Sequence, residues 1–357
     1  MPIFGRETRP RNRTRGNAVQ PMAGRCTVIH QGGGSVREHG TARSLGRTGL
    51  MVSRLALGTM TWGSDTGADD AGAQLKVFTE AGGTLIDTAN VYGGGAAERI
   101  LGQLLTESID RAELVLASKA VARPDHPRRF DASRGHLLSA LDASLARLGT
   151  DYLDLWQLHA WDDRTPLEET LAAVDIAVSS GRVRYVGVSN YSGWQTAKAA
   201  TWQAAWPGRT PLASAQVEYS LLARGAETEV LPACGDAGIG VLPWSPLGRG
   251  VLTGKYRGGV PADSRAASSR FDRFVGRFLD DHSAGIVEAV ATASDGLGVS
   301  PLAVSLAWVR DRPGVVAPVV GARTAGQLVV SLDTEELTLP AEITAALDDV
   351  SSPVRAG

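Results

Sequence analysis

Three apolar runs in the first half of this chain end on residues that ionise. "LID" closes on Asp87, "LASK" on Lys119 and "LWQLH" on His159, and Tyr92 follows shortly after the first. Each has an ordinary explanation by itself. Asp suits a strand end or a helix start, a lysine after a strand is usually solvated, and a lone histidine among apolar residues is usually structural. Together they suggest chemistry. A phenol with a free pKa of about 10 exchanges its proton too reluctantly for work at neutral pH. A neighbouring ammonium is expected to lower that value, and a carboxylate to hold the lysine charged and oriented. Tyr92, Lys119 and Asp87 would then form a tuned proton donor, with His159 placing a carbonyl oxygen by a hydrogen bond. Such a set suits carbonyl reduction, and since no side chain supplies hydride, a nicotinamide cofactor is implied. Acyl transfer lacks a Ser or Cys paired with a base. A metal site lacks a second histidine at ligand spacing.

For the four groups to meet, the chain must bring successive strand ends to one rim. Short apolar runs occur at Leu55–Met60, Thr84–Ala89, Leu114–Ser118, Leu153–Leu158, Val183–Val188, Ser214–Tyr219, Gly240–Trp244 and Val315–Val320. Helical periodicity separates most of them: Leu137, Leu138, Leu141, Leu145 and Leu148 fall on one stripe, and "PLEETLAAVDIAVSSG" (166–181) has Pro at its start and Gly at its end. Eight strand–helix units in one chain of this length predict a closed (β/α)8 barrel, in which catalytic groups gather at the carboxyl ends of the strands. An open doubly wound sheet would carry G-x-G-x-x-G after its first strand, and "GTMTWG" (58–63) does not. "LGRTGLMVS" (45–53) predicts a hairpin before the barrel. The stretch from Gly248 to about Ser283 is expected to be a structureless insert on the catalytic face.

The 357 residues are 43% hydrophobic and 21% charged, with a formal charge of −2, an ordinary globular composition. This balance gives no reason to expect nucleic acid or an anionic membrane as partner, and no apolar run is long enough to span a bilayer. Cys26 and Cys234 stand far apart in no metal or redox spacing, which predicts a reducing, cytoplasmic setting. Residues 1–42 are read as a disordered basic extension, with seven arginines against two glutamates in the first forty positions. Residues 43–357 are read as a single domain.

From Ser44 onward the sequence resembles the aldo-keto reductases, over about residues 43–350. The blocks that carry the likeness are "RSLGRTGLMVSRLALGTMTWG", "IDTANVYGGGAAERILGQLL", "LASK", "LDLWQLH", "GRVRYVGVSN", "VEYSLL", "WSPLGRG" and "PVVGARTAGQL", in the family's order. The resemblance implies a (β/α)8 barrel binding NADPH in extended form, and a catalytic tetrad at Asp87, Tyr92, Lys119 and His159.

The cofactor contacts that the resemblance implies run around the barrel mouth. Gly58, Thr59 and Met60 follow the first strand. Ser189, Asn190 and Gln216 match residues that hydrogen-bond the nicotinamide carboxamide, and Trp244 matches the aromatic that stacks on its ring. Ser245, Pro246, Leu247, Gly248 and Gly250 in "SPLGRG" are expected to offer backbone N–H groups to the pyrophosphate. Lys255 and Arg265 resemble phosphate clamps in the branch containing potassium-channel beta subunits. Gly321, Arg323 and Gln327 match the 2′-phosphate and adenine region, where a guanidinium suits a phosphate. Val330 and Ser331 depart from the pattern, standing where the family usually has an acid and an asparagine that hold the adenine amino group. The expected activity is NADPH-dependent reduction of an aldehyde or ketone, a small-molecule carbonyl substrate. The alternative is a cofactor-binding regulatory subunit resembling the channel beta subunits. Met60, Trp62, Trp161 and the loop after Gly250 are expected to wall the substrate pocket, giving it an apolar, aromatic lining. The sequence leaves the oligomeric state open.

Overall fold

A computed structural model describes residues 42–107, 109–261, 267 and 272–352. All but the last residue of the expected extension over 1–42 lies outside them. The chain opens with the hairpin, β1 (Arg43–Ser44) paired antiparallel with β2 (Met51–Val52). Eight parallel strands then close on themselves: β3 (Ala56–Gly58), β4 (Leu85–Asp87), β5 (Val115–Ala120), β6 (Leu153–Leu158), β7 (Val183–Ser189), β8 (Leu212–Glu218), β9 (Gly240–Trp244) and β10 (Val319–Val320). The ring order follows the chain, with β10 returning to β3. The eight expected runs match these strands, although the last is pared to two residues.

Period-two alternation divides each strand between two cores. Inside the barrel, Ala56, Leu85, Ala117, Leu155, Ala213 and Leu242 pack together, and Leu45 and Val52 of the hairpin close the lower end. Two residues further along, the inward positions of β4, β5 and β6 are Asp87, Lys119 and Gln157, so the filling changes from apolar to polar towards the mouth. The outward side chains, Ile86, Leu116, Trp156 and Leu158 among them, join the larger core beneath the helices.

That helical layer includes α1 (Ala68–Glu80), α2 (Ala96–Glu107), α3 (Arg134–Leu148), α4 (Leu167–Ser179), α5 (Gly193–Ala204) and α6 (Ala226–Ala237). After β9 come α7 (Asp272–Gly276), α8 (Asp281–Leu297) and α9 (Pro301–Arg310), and after β10, α10 (Ala325–Leu332) and α11 (Ala341–Val350). The leucine stripe of α3 faces inward through Leu137, Leu141, Leu145 and Leu148. Among the described residues no single helix is long and apolar enough to cross a membrane.

The stretch after Gly248 is more ordered than expected. It contains a 3-10 turn at Gly248–Thr253 and the short helix α7. Buried anchors account for this: Val251, Leu252, Val275 and Phe278 all pack into the outer core.

Candidate active site

The carboxyl ends of the strands surround a cleft of about 490 Å³, with Asp87, Tyr92 and His159 in its wall. Lys119 sits behind them, fully buried, and its ammonium is completely engaged. Nζ donates to Asp87 Oδ2 at 2.6 Å, to the Thr88 carbonyl at 2.9 Å and to Tyr92 Oη at 3.3 Å. Asp87 is held from its other side, Oδ1 accepting from Gln216 Nε2 at 2.8 Å and Gln157 Nε2 at 3.4 Å. Ser214 Oγ donates in turn to Gln157 Oε1 at 3.2 Å, so a buried polar chain runs down into the barrel.

Tyr92 comes from a 3-10 turn, Tyr92–Gly95, in which Gly93 and Gly94 adopt left-handed φ values of 56° and 62°. That conformation is open to glycine without strain and lets the backbone double back between β4 and α2. The ring of Tyr92 meets that of His159 edge-on, centroids 6.0 Å apart. Nδ1 of His159 is buried without a partner among the described residues, and the ring lines the cleft. Burial, aided by Lys119, lowers the His159 pKa to about 3.

The phenol behaves differently from expectation. Burial pushes the Tyr92 pKa up; Lys119 opposes this, Asp87 adds to it, and the balance stays above the ordinary phenol value. Lys119 therefore limits a rise rather than producing a fall. Burial also works against the charge of Lys119, yet Asp87 and Tyr92 together hold its pKa above the usual lysine value.

Strained backbone gathers at the same rim. Among the described residues, the non-glycine residues with positive φ are Val121, Asn190, Ser245 and Arg249. They follow β5, β7 and β9 at their carboxyl ends. Such conformations persist only where surrounding structure enforces them, and they concentrate at functional sites. For Asn190 the enforcing bonds are visible. Its Nδ2 donates to the His159 carbonyl at 2.9 Å and to Ser189 Oγ at 3.1 Å, while Oδ1 accepts from Trp244 Nε1 at 3.0 Å. Asn190 thus ties three strand ends together and fixes the plane of the indole.

Most of the positions assigned to a cofactor line this cleft: Gly58, Met60, Ser189, Asn190, Gln216, Trp244, Ser245, Pro246, Leu247, Gly250, Lys255, Gly321, Arg323 and Gln327. Thr59 does not. It is fully buried, and both its N–H and its hydroxyl donate to the Asp87 carbonyl, at 3.0 and 3.2 Å. Gly248 is buried as well, with no room for a Cβ beside Leu222. The N–H groups of Gly248 and Gly250 are already bonded within the turn, to the Ser245 and Leu247 carbonyls at 2.9 Å each. The two glycines therefore shape the turn, and their own N–H groups are not available to a phosphate. Arg265 lies outside the described residues. Trp62 is no pocket wall: its indole is fully buried and donates to Gln74 Oε1 of α1 at 3.1 Å. Ser331 lines the cleft, whereas Val330 is 47% exposed to solvent.

The loop after Gly250 does line the cleft, through Thr253, Lys255 and Phe274, whereas sequence reasoning passed over Thr61, Arg249 and Leu302. Arg249 is the most consequential. Its buried guanidinium pairs with Glu218 of β8 at 2.8 Å, lies 3.4 Å from the Phe274 ring centroid and donates to the Phe274 carbonyl. Lys255 and Arg323 add two cations to the lining, whereas the Arg249 guanidinium lies 5.7 Å from the Trp244 ring centroid, beside the fixed aromatic face. A Cβ at Gly321 would touch only the Gly58 carbonyl oxygen, at 4.0 Å, so two bare glycine backbones face each other at this edge of the cleft. Cations and a fixed aromatic face in one lining fit a ligand that carries both anionic groups and a planar ring. Among the described residues no group of three or more His, Cys, Asp or Glu side chains is placed to hold a metal ion.

Comparison with known proteins decides the family. The sequence model of the aldo/keto reductase family matches residues 54–352. The chain belongs to that family. This aldo-keto reductase is 37% identical to the uncharacterized oxidoreductase YrpG of Bacillus subtilis, over 86% of this chain and 94% of that one. It is 35% identical to a probable voltage-gated potassium channel subunit beta of Oryza sativa, over 81% and 89% of the two chains. It is 33% identical to L-glyceraldehyde 3-phosphate reductase of Escherichia coli K12, over 80% and 85%. As a family member the reductase is an oxidoreductase acting on carbonyl compounds.

Proposed function

We propose that this aldo-keto reductase reduces an aldehyde or ketone to an alcohol with NADPH, Tyr92 delivering the proton. The observation that carries the reading is the contact chain Tyr92–Lys119–Asp87, at 3.3 and 2.6 Å, in the wall of a cleft lined by cations and a fixed indole. A bound nicotinamide supplies hydride to the carbonyl carbon. Tyr92 Oη gives its proton to the carbonyl oxygen as negative charge develops there, and the resulting phenolate is stabilised by Lys119 Nζ. His159, neutral throughout the working pH range, donates from Nε2 to the same oxygen and sets its position. Asp87 keeps Lys119 charged at a depth where a lone ammonium would lose its proton.

The residues that would hold the cofactor follow from their chemistry and their place in the cleft. Ser189 Oγ retains its own proton and Gln216 an unpaired carbonyl oxygen, a fit for the two ends of a carboxamide. The Trp244 face supports the ring, Lys255 and Arg323 meet phosphates, and Ser331 adjoins the adenine. Residues 43–357 act as one catalytic unit in this reading.

The test is loss of NADPH absorbance with a panel of aromatic and short aliphatic aldehydes. Turnover with any of them is expected. The similarity to channel beta subunits favours a second reading, a cofactor-binding regulatory protein, which NADPH binding without turnover of any carbonyl would support.

A further inference from the structure

The segment that carries Tyr92 is weakly determined by its own sequence, because the three residues after the tyrosine are glycines. Its first firm anchor beyond them is Glu98, in the first turn of α2. This carboxylate is fully buried, an expensive state unless it is paired and hydrogen-bonded. Both its oxygens are taken. Oε1 accepts from Ser118 Oγ at 2.6 Å, and Oε2 from Arg147 Nε of α3 at 2.7 Å. Arg147 also lies against the glycine turn, since a Cβ built on Gly95 would stand 3.0 Å from its Cδ.

Ser118 is the residue before Lys119 on β5. Alternation along the strand sends the lysine inward to Asp87 and Tyr92 and the serine outward to Glu98. The segment from Tyr92 to Glu98 therefore straddles one strand, its phenol resting on Lys119 from inside the mouth and its carboxylate gripping Ser118 from outside. Before the tyrosine, the segment is tied to the same strand by backbone bonds, Thr88 N to Ala117 O at 2.9 Å and Asn90 N to Lys119 O at 3.2 Å. Between Asn90 and Glu98 the turn is held by its own short-range backbone bonds, Tyr92 N to Ala89 O and Gly94 N to Val91 O at 3.1 Å each, by the buried Ala97 and by packing against Trp62 and Arg147; none of these hydrogen-bonds it to β5. The Tyr92–Lys119 separation of 3.3 Å is the longest of the three ammonium contacts, and it alone depends on where this segment docks.

We propose that Glu98, through Ser118 and Arg147, is a positioning residue for the proton donor: it sets the distance of the Tyr92 hydroxyl from the Lys119 ammonium. The proposal rests on the reading of Tyr92 as general acid. Among the described residues no group other than Ser118 and Arg147 is bonded to the carboxylate, so its influence on Tyr92 runs through backbone position.

Ser118→Ala removes the strand-side link and leaves the Glu98–Arg147 pair intact; Glu98→Gln keeps the shape and removes the charge. Loosening the segment moves the phenol away from Lys119, whose field lowers its pKa, so that pKa should rise further. The expected result for Ser118→Ala is a fall in kcat of about tenfold, little change in KM, unchanged NADPH binding by fluorescence, and an alkaline limb displaced to higher pH. Carbon-13 labelling at the tyrosine hydroxyl carbons, with Tyr92→Phe to assign the signal, reads the titration of Tyr92 directly in the folded protein without substrate. A displaced Tyr92 signal in either variant supports the proposal. Two folded variants that only lower the melting temperature, with kcat and the Tyr92 titration unmoved, overturn it. Should Glu98→Gln fail to fold, Ser118→Ala decides alone. Full activity in Tyr92→Phe would instead refute the general-acid reading, so the two failures are told apart.

Discussion

Four ionisable side chains share one rim, and each carries a charge state set by its surroundings. Burial holds the Tyr92 phenol above its ordinary pKa despite Lys119. With Tyr92 as the proposed proton donor the protonated phenol is the working form, so activity is expected to be full at neutral pH and to fall only as pH rises through that raised value. His159, with its pKa near 3, stays neutral across the range in which an ordinary histidine titrates. The profile of kcat against pH should therefore show no limb between about 5 and 8; an inflection there that disappears in His159→Gln would contradict the assignment. Lys119→Met removes the charge that restrains the phenol and leaves Asp87 uncompensated. Both changes raise the Tyr92 pKa, so a lower kcat with an alkaline limb moved upward is expected from the same measurement. The convergence of these groups was legible in the sequence because Asp87, Lys119 and His159 each close an apolar run and Tyr92 follows the first of them. Glu98 was not legible: an acid in the first turn of a helix ordinarily faces solvent and needs no partner, and nothing local indicates that Ser118 and Arg147 fold over it. The direction of the Tyr92 shift was missed for a related reason, since neighbouring charge can be guessed from sequence whereas depth of burial cannot.

Elements position these groups through strand alternation and through loops locked to one another. β7 meets β8 at a register shift, where a Cβ on Gly187 would fall 2.0 Å from Ser214 Oγ. Gly187→Ala should lower stability by about 1–3 kcal/mol, seen as a reduced denaturant midpoint, and should disturb the Ser214–Gln157–Asp87 chain. On the side of the mouth away from Trp244, Asp162 clamps the loop after β5 to the loop after β6, accepting from Ala132 N at 2.8 Å and Arg128 Nη2 at 2.7 Å. These loops carry Phe130, 47% exposed, and Trp161, whose ring lies 5.2 Å from Tyr191 and 5.3 Å from Trp194. Trp161, expected from the sequence to wall the pocket, does not line the cleft, so it can meet only the part of a substrate that projects beyond it: Trp161→Ala should raise KM for aryl aldehydes by roughly 2- to 10-fold, the value of one aromatic contact, and spare short aliphatic ones. Equal effects on both classes would show that Trp161 does not touch the substrate. Strand positions were readable because period-two patterning fixes which way a side chain points. Beyond a strand end that rule lapses: Thr59 and Trp62 turn into the core, while Met60 between them remains 41% exposed.

At the scale of the molecule, the barrel divides its mouth between two jobs. On the proposed reading, the ends of β4, β5 and β6 gather the proton-transfer groups, and those of β7 to β10 line the part of the cleft that would take an extended dinucleotide. Alternating runs made the closed barrel legible as a whole. The segment after β9 was less so, because the burial of Arg249 on Glu218 and Phe274 joins residues distant in sequence. Arg323→Ala should weaken NADPH binding by about tenfold or more while changing NADH binding little, as the loss of one charge-assisted phosphate contact predicts; equal losses for both nucleotides would move the 2′-phosphate site elsewhere. The central claim is that the Tyr92 hydroxyl, held against Lys119 and Asp87, is the proton donor. Its most direct test is the rate of NADPH oxidation by Tyr92→Phe with a good aldehyde substrate, alongside a fluorescence titration of cofactor binding. A rate lower by about 10²–10⁴ with unchanged NADPH affinity is predicted, and a rate equal to that of the unmodified enzyme would contradict it.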